Sequence, residues 1–177
     1  MQFIETQLPG AYTLDFDRRE DQRGFFAHAW SQAEFAQHNL TSNIVDINFS
    51  YNRARGTLRG MHFQRNPFAQ VKVVRCTRGA IYDVIVDLRP ESPTFQQWIG
   101  VELTADNHRA LYVPEGFAHG FQTLEDNCDV TYLVSQIYAP SAEGGVRYDD
   151  PAFGITWPLA VAVISERDLA WPAFIDE

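Results

Sequence analysis

Apolar and polar residues alternate along most of the chain. In residues 80–88, AIYDVIVDL, a period of two puts Ala80, Tyr82, Val84, Val86 and Leu88 on one face of a strand and Ile81, Asp83, Ile85 and Asp87 on the other. Comparable runs predict strands over 43–50, 57–64, 70–77, 80–88, 97–103, 109–113, 117–124 and 129–136. Turn-forming segments such as RNPF, RPESPT, TADN and PEG separate them. Helical periodicity is confined to 30–39 and a short stretch at 165–170. Short strands at this spacing predict an all-β fold, a sandwich or jelly-roll barrel with one or two short helices. No repeat, low-complexity segment or linker interrupts the pattern, so residues 1–177 are expected to form a single domain.

The same periodicity assigns faces. Gln70, Lys72, Val74 and Cys76 share one side of their strand, as do Val130, Tyr132 and Val134 of theirs. The face carrying Asp83 and Asp87 is expected to line a polar cavity. The run RGTLRGMHFQ (55–64) poses a conflict, because strict alternation sends Arg59 and His62 to opposite faces. Gly60 lies between them. Glycine inside a strand often marks a bulge, which would turn both side chains into one cavity.

Composition narrows the function classes. A chain that is 45% hydrophobic and 14% aromatic has the apolar residues for a packed core. Its net charge of -9 makes nucleic acid a poor partner, since phosphates would be repelled. No apolar run approaches the ~18 residues that span a bilayer, so no membrane association is expected. Two cysteines, Cys76 and Cys128, are too few for a disulfide framework and read as free thiols of a cytoplasmic protein.

The distribution of charge is more telling than its sum. No acidic residue occurs between Asp46 and Asp83, yet that interval holds seven of the fourteen cations: Arg53, Arg55, Arg59, Arg65, Lys72, Arg75 and Arg78. Such segregation points to a local anion site. Lys72 is the only lysine in the chain, and it is either an edge-strand blocker or a functional cation.

Of the five histidines, His28, His38, His62, His108 and His119, none belongs to a cluster with metal-ligand spacing, and no metal or other cofactor is expected. His119, flanked by Phe117 and Phe121 on its face, reads equally as a hydrogen-bonded core histidine. The chain lacks a Gly-x-Ser-x-Gly elbow, a Walker loop and a dinucleotide fingerprint. A histidine, a lone lysine, tyrosines and arginines remain. Those groups suit proton abstraction next to a carbonyl, with a base, a cation for the enolate oxygen and an acid to return a proton.

The runs RGTLRGMHFQ, QVKVVRCTRGAIYDVIVDLRPESPTFQQWIGVEL, YVPEGFAHGF, TYLVSQIYAP and VRYDDPAFGITWP, in that order, resemble the dTDP-4-dehydrorhamnose 3,5-epimerase family over about residues 5–172. The resemblance implies a cupin-type jelly roll without metal, a homodimer, and epimerisation at C3 and C5 of a nucleotide-linked 4-keto-6-deoxyhexose. It implies that His62 is the catalytic base and Asp168 the carboxylate that pairs with it. By local pattern alone, Ser165-x-x-Asp168 is a helix-capping box. Lys72 matches the cation beside the sugar's 4-oxygen, and Tyr132 the acid that reprotonates from the opposite face. From sequence alone Tyr132 reads as readily as a core tyrosine.

Arg59 and His119 match pocket residues, and Tyr138 an aromatic beside the sugar nucleotide. Arg23 and Phe26 match a segment that reaches the partner subunit's site, and Asn48 and Ser50 match a segment near the base. Two positions depart from the family pattern: His28 stands where a Glu is usual, and Asp46 where a Gln is usual. Because a carboxylate facing thymine's carbonyls would be unfavourable, these departures leave open a CDP- or GDP-linked substrate. The same residues would also fit epimerisation at a single carbon, or noncatalytic binding of a sugar nucleotide.

Overall fold

The computed structural model describes residues 1–174. Thirteen strands and two short helices follow one another as β1 (Gln2–Glu5), β2 (Tyr12–Asp15), β3 (Arg19–Asp21), β4 (Gly24–Phe26), α1 (Gln32–Gln37), β5 (Asp46–Asn52), β6 (Leu58–Gln64), β7 (Lys72–Arg78), β8 (Ala80–Asp87), β9 (Trp98–Thr104), β10 (Ala110–Val113), β11 (Phe117–Thr123), β12 (Cys128–Val134), β13 (Glu143–Gly145) and α2 (Glu166–Leu169). They form an antiparallel six-stranded sheet in the order β1-β2-β10-β7-β12-β5 and a five-stranded sheet in the order β13-β6-β11-β8-β9. Strands β3 and β4 make a separate hairpin. This is the jelly-roll class that the alternation predicts.

The main core lies between the two large sheets. Val74, Cys76, Ile81, Ile85, Leu111, Phe121 and Val130 meet there. The outer face of the six-stranded sheet is covered by α1, whose Phe35 packs with Leu14, Val73 and Tyr112. The outer face of the five-stranded sheet is covered by the C-terminal segment, where Val84, Val86 and Met61 meet Phe153, Trp157 and Phe174. Strand β8 is therefore covered on both faces, which explains its almost continuous apolar run.

All eight anticipated strands exist, shifted by up to three residues; the segment at 43–50 is Asp46–Asn52. Strands β1 to β4 and β13 were not anticipated. Strands β3 and β4 are exposed throughout, so no buried face imprints an alternation on them. Strand β13 is Glu-Gly-Gly, with almost no side chains to show a pattern.

One face assignment needs correction. Ile81 and Ile85 pack in the core, and Asp83 lies behind a cavity wall without lining the cavity. Asp87 stands at the other end of β8, where Arg89, Ser92 and Thr94 all donate to it. Those bonds outweigh the rise that burial alone would cause and hold its carboxyl down at about 2. Both cysteines are free and buried, and burial pushes the Cys76 thiol up to about 12.

Candidate active site

The inner faces change character along their strands. On β7 the apolar Val74 and Cys76 give way to Lys72 and then, just before the strand, to Gln70; on β12 Val130 gives way to Tyr132 and Val134. With Asn48 and Ser50 of β5, Arg59 and His62 of β6, and His119 and Phe121 of β11, these side chains enclose a cavity of about 290 Å³ between the sheets. Arg59 and His62 do line one cavity. In the β6–β11 ladder His119 pairs with His62 and Phe121 with Arg59, so two steps on β11 face three on β6. The added residue sits where two glycines meet. Gly60 has φ +134°, and a Cβ there would stand 2.6 Å from the Gly120 Cα. Only a glycine pair lets the strands approach this closely.

Two histidine–carboxylate pairs stand side by side in this wall. His62 Nε2 lies 2.6 Å from Asp168 Oδ1, and the Gly60 N–H donates to Asp168 Oδ2 at 3.3 Å. A carboxylate only accepts, so the imidazole carries its proton on Nε2 and keeps Nδ1 as the basic nitrogen. Burial alone would raise the Asp168 carboxyl, but the His62 hydrogen bond and charge, with Gly60 and Ser165, hold it below its ordinary value. Half of the capping box forms: Ser165 Oγ accepts from the Asp168 N–H at 3.0 Å, while the Asp168 carboxylate turns to His62 and Gly60. One residue joins the helix cap through its backbone and orients the His62 imidazole through its side chain.

In the second pair His119 Nε2 lies 2.7 Å from Asp83 Oδ1, with both side chains almost fully buried. Burial, reinforced by Lys72 and His62, lowers the His119 imidazole despite Asp83, which favours a neutral ring. Lys72 belongs to an interior strand between β10 and β12, so the edge-blocking reading fails. Its pKa is pushed down to about 8 by burial, with Asp83 opposing the fall. Tyr132 stands on the facing sheet and packs edge-on to His119 at 6.3 Å between centroids. Burial raises its hydroxyl pKa, so it rests protonated. Arg59 Nε donates to Asn52 Oδ1 at 2.7 Å, which fixes the guanidinium at the rim.

The other anticipated residues lie apart from the cavity within one protomer. Tyr138 is exposed and donates to Glu143 Oε2 at 2.9 Å, beside the Arg167–Glu143 ion pair. Arg23 is exposed and paired with Asp21, and Phe26 is 63% exposed on the β3–β4 hairpin. His28 Nδ1 lies 3.1 Å from Glu34, and Asp46 is exposed at the start of β5. Sequence reasoning did not single out Asp83, Gln70, Asn52 or Trp171 as site residues. Two of them left a signal: Gln70 by sharing the face of Lys72, and Asp83 as one of two carboxylates on the inward face of β8.

A family model described as dTDP-4-dehydrorhamnose 3,5-epimerase matches residues 5–176. The chain is 44% identical over 172 residues to the dTDP-4-dehydrorhamnose 3,5-epimerase of Methanothermobacter thermautotrophicus, covering 96% of this chain and 92% of that one. It is 41% identical over 171 residues to that of Salmonella typhimurium, covering 96% and 93%. The crystal structure of the Bacillus anthracis dTDP-4-dehydrorhamnose 3,5-epimerase with TDP and PPi bound superposes with a TM-score of 0.94 at 43% identity, covering 98% and 99%. A 3′-monoepimerase from Streptomyces bikiniensis in complex with dTDP-quinovose has a TM-score of 0.88 at 33% identity, covering 96% and 86%.

Proposed function

The chain belongs to the dTDP-4-dehydrorhamnose 3,5-epimerase family, and from that membership we propose how its cavity epimerises a dTDP-linked 4-keto-6-deoxyhexose at C3 and C5. The observation that carries the proposal is the placement of a carboxylate-paired histidine on one sheet opposite a protonated tyrosine on the other. Inversion requires a proton to leave one face of the sugar ring and another to arrive at the opposite face.

The 4-keto group acidifies the C–H bonds at C3 and C5. His62 Nδ1 takes the proton, and the C–H electron pair moves into the C–C bond while the carbonyl pair moves onto the 4-oxygen. Lys72, when charged, stabilises that oxyanion. As the enolate collapses, Tyr132 delivers its proton to the same carbon from the other side. Solvent then removes the proton from His62 and restores that of Tyr132, and the cycle serves the second carbon. Asp168 holds the imidazole in the required tautomer and stabilises its cation.

The nucleotide lies outside the cavity of a single protomer in this account, and a second copy completes the site. Strand β5 supports this reading. It is the edge of its sheet, its inward Asn48 and Ser50 line the cavity, and its outward Ile47, Phe49 and Tyr51 are 68%, 65% and 43% exposed. An apolar sheet edge left open invites strand pairing. The β3–β4 hairpin with Arg23 and Phe26 would then reach across to the partner's cavity, bringing His28 with it. No helix among the described residues is long and apolar enough to cross a membrane, and the reading places the enzyme in the cytoplasm with its nucleotide-sugar substrate.

Incubation with dTDP-4-keto-6-deoxyglucose in deuterated water tests the activity. Deuterium at both C3 and C5 is expected. Label at C3 alone would identify a monoepimerase like the Streptomyces relative, and label at neither carbon would leave a binding protein. A thermal-shift series with dTDP, CDP, GDP and UDP tests the base, with the largest shift expected for dTDP.

A further inference from the structure

The carboxylate that orients His62 comes from the least self-supporting element of the fold. Helix α2 is four residues long, and a single turn does not hold itself in water. Its position comes from its own contacts, Arg167 with Glu143 and Asp168 with the Gly60 N–H, and from packing on either side. Upstream, Val163 bridges Thr57, and its carbonyl accepts from the Leu58 N–H at 2.8 Å. Downstream, the Phe174 N–H donates to Asp150 Oδ2 at 2.6 Å. Between these anchors, Trp171 follows Asp168 by three residues.

Trp171 has a prepared seat. In the β13–β6 ladder Gly145 pairs directly with His62, and the indole lies over Gly145 where a Cβ would overlap it. A residue resting on Gly145 therefore rests beside the imidazole. The Trp171 and His62 rings meet edge to face at 6.2 Å between centroids. The Trp171 Nε1 is buried and has no hydrogen-bond partner among the described residues. The seat uses the indole for its shape and not for its N–H.

We propose that Trp171, seated on Gly145, is a positioning residue that holds α2 against β6 and so keeps the Asp168 carboxylate on His62. The inference rests on reading His62 and Asp168 as the base pair. It adds that the geometry of that pair is set by an aromatic strap following the carboxylate in the chain.

Steady-state kinetics of Trp171→Ala, Trp171→Phe, Gly145→Ala, Asp168→Asn and the double variant Trp171→Ala/Asp168→Asn separate the two ideas. A misplacement near 1 Å at a reacting group costs up to about 100-fold, so Trp171→Ala should lower kcat at least about tenfold with KM changed less than about twofold. Trp171→Phe should restore kcat to within about threefold, because a ring still fills the seat and the lost N–H had no partner. Gly145→Ala should reproduce the loss by unseating the indole. The double variant should be no slower than Asp168→Asn, since both changes act on one contact. A Trp171→Ala enzyme with unchanged kcat, or a loss that multiplies with that of Asp168→Asn, overturns the inference. If Asp168→Asn is itself fully active, the base-pair reading fails instead. Should Trp171→Ala not fold, Gly145→Ala decides by the same kcat and KM criteria.

Discussion

The two histidine–carboxylate pairs of the cavity have nearly equal hydrogen bonds, 2.6 Å and 2.7 Å, and opposite circumstances. Asp83 and His119 sit on adjacent strands of one sheet and are almost fully buried. Asp168 reaches His62 from a single helical turn outside the sheets, and the His62 side chain keeps 34% exposure. A pair locked inside a sheet serves as fixed electrostatic structure, because gaining a proton there means charging a buried ring. A pair assembled across a strand and a separate helical turn, with one ring open to the cavity, leaves that ring within reach of a substrate. The hydrogen bond is the same; burial and mounting decide the role.

Breaking each pair at its carboxylate should therefore give opposite results. Asp168→Asn should lower kcat by about 100-fold or more, because the amide no longer enforces the tautomer or stabilises the imidazolium, with little change in melting temperature. Asp83→Asn should instead cost stability, about 3 kcal/mol in denaturant unfolding, since it disrupts a buried hydrogen-bonded pair beside a buried lysine. Its kcat at pH 7 should fall less than about tenfold.

A smaller effect sharpens the electrostatic half of the comparison. Lys72 must carry its proton to stabilise an enolate, and burial brings its pKa down to about 8. The contribution of Lys72 to activity should be full below that value and decline as pH rises through it. Asp83 opposes the depression, so Asp83→Asn should move this basic limb to lower pH in a rate profile. Stability has the reverse slope. The folded lysine loses its proton more readily than the unfolded one, so unfolding titrations should show stability rising with pH between about 8 and the ordinary lysine value. The smallest effect is expected at the rim, where Tyr138→Phe removes the hydrogen bond donated to Glu143 and the longer one accepted from Arg167 and should change kcat less than about threefold.

Alternation made the eight principal strands legible, along with the shared faces of Lys72 with Val74 and of Tyr132 with Val130. The bulge at Gly60 was legible too, because a functional demand on Arg59 and His62 conflicted with strict pleating. The second pair was only half visible. Asp83 stood out as a charge on an inward face, but its partner depended on the register between β8 and β11, which no local pattern encodes. By local pattern Asp168 showed only a capping role, and its pairing with His62 came from the family resemblance alone, since contact with a residue 106 positions away is a tertiary fact. Trp171 and Gly145 left no signal for the same reason: a flat ring on a bare backbone is a relation between two segments.

Deuterium wash-in catalysed by His62→Ala tests most directly the claim that one paired histidine serves both carbons. The variant, folded by its melting curve and incubated with dTDP-4-keto-6-deoxyglucose in deuterated water, should place no enzyme-dependent label at C3 or at C5. Wild-type rates of labelling at either carbon would contradict the account, because a second base would then be removing that proton.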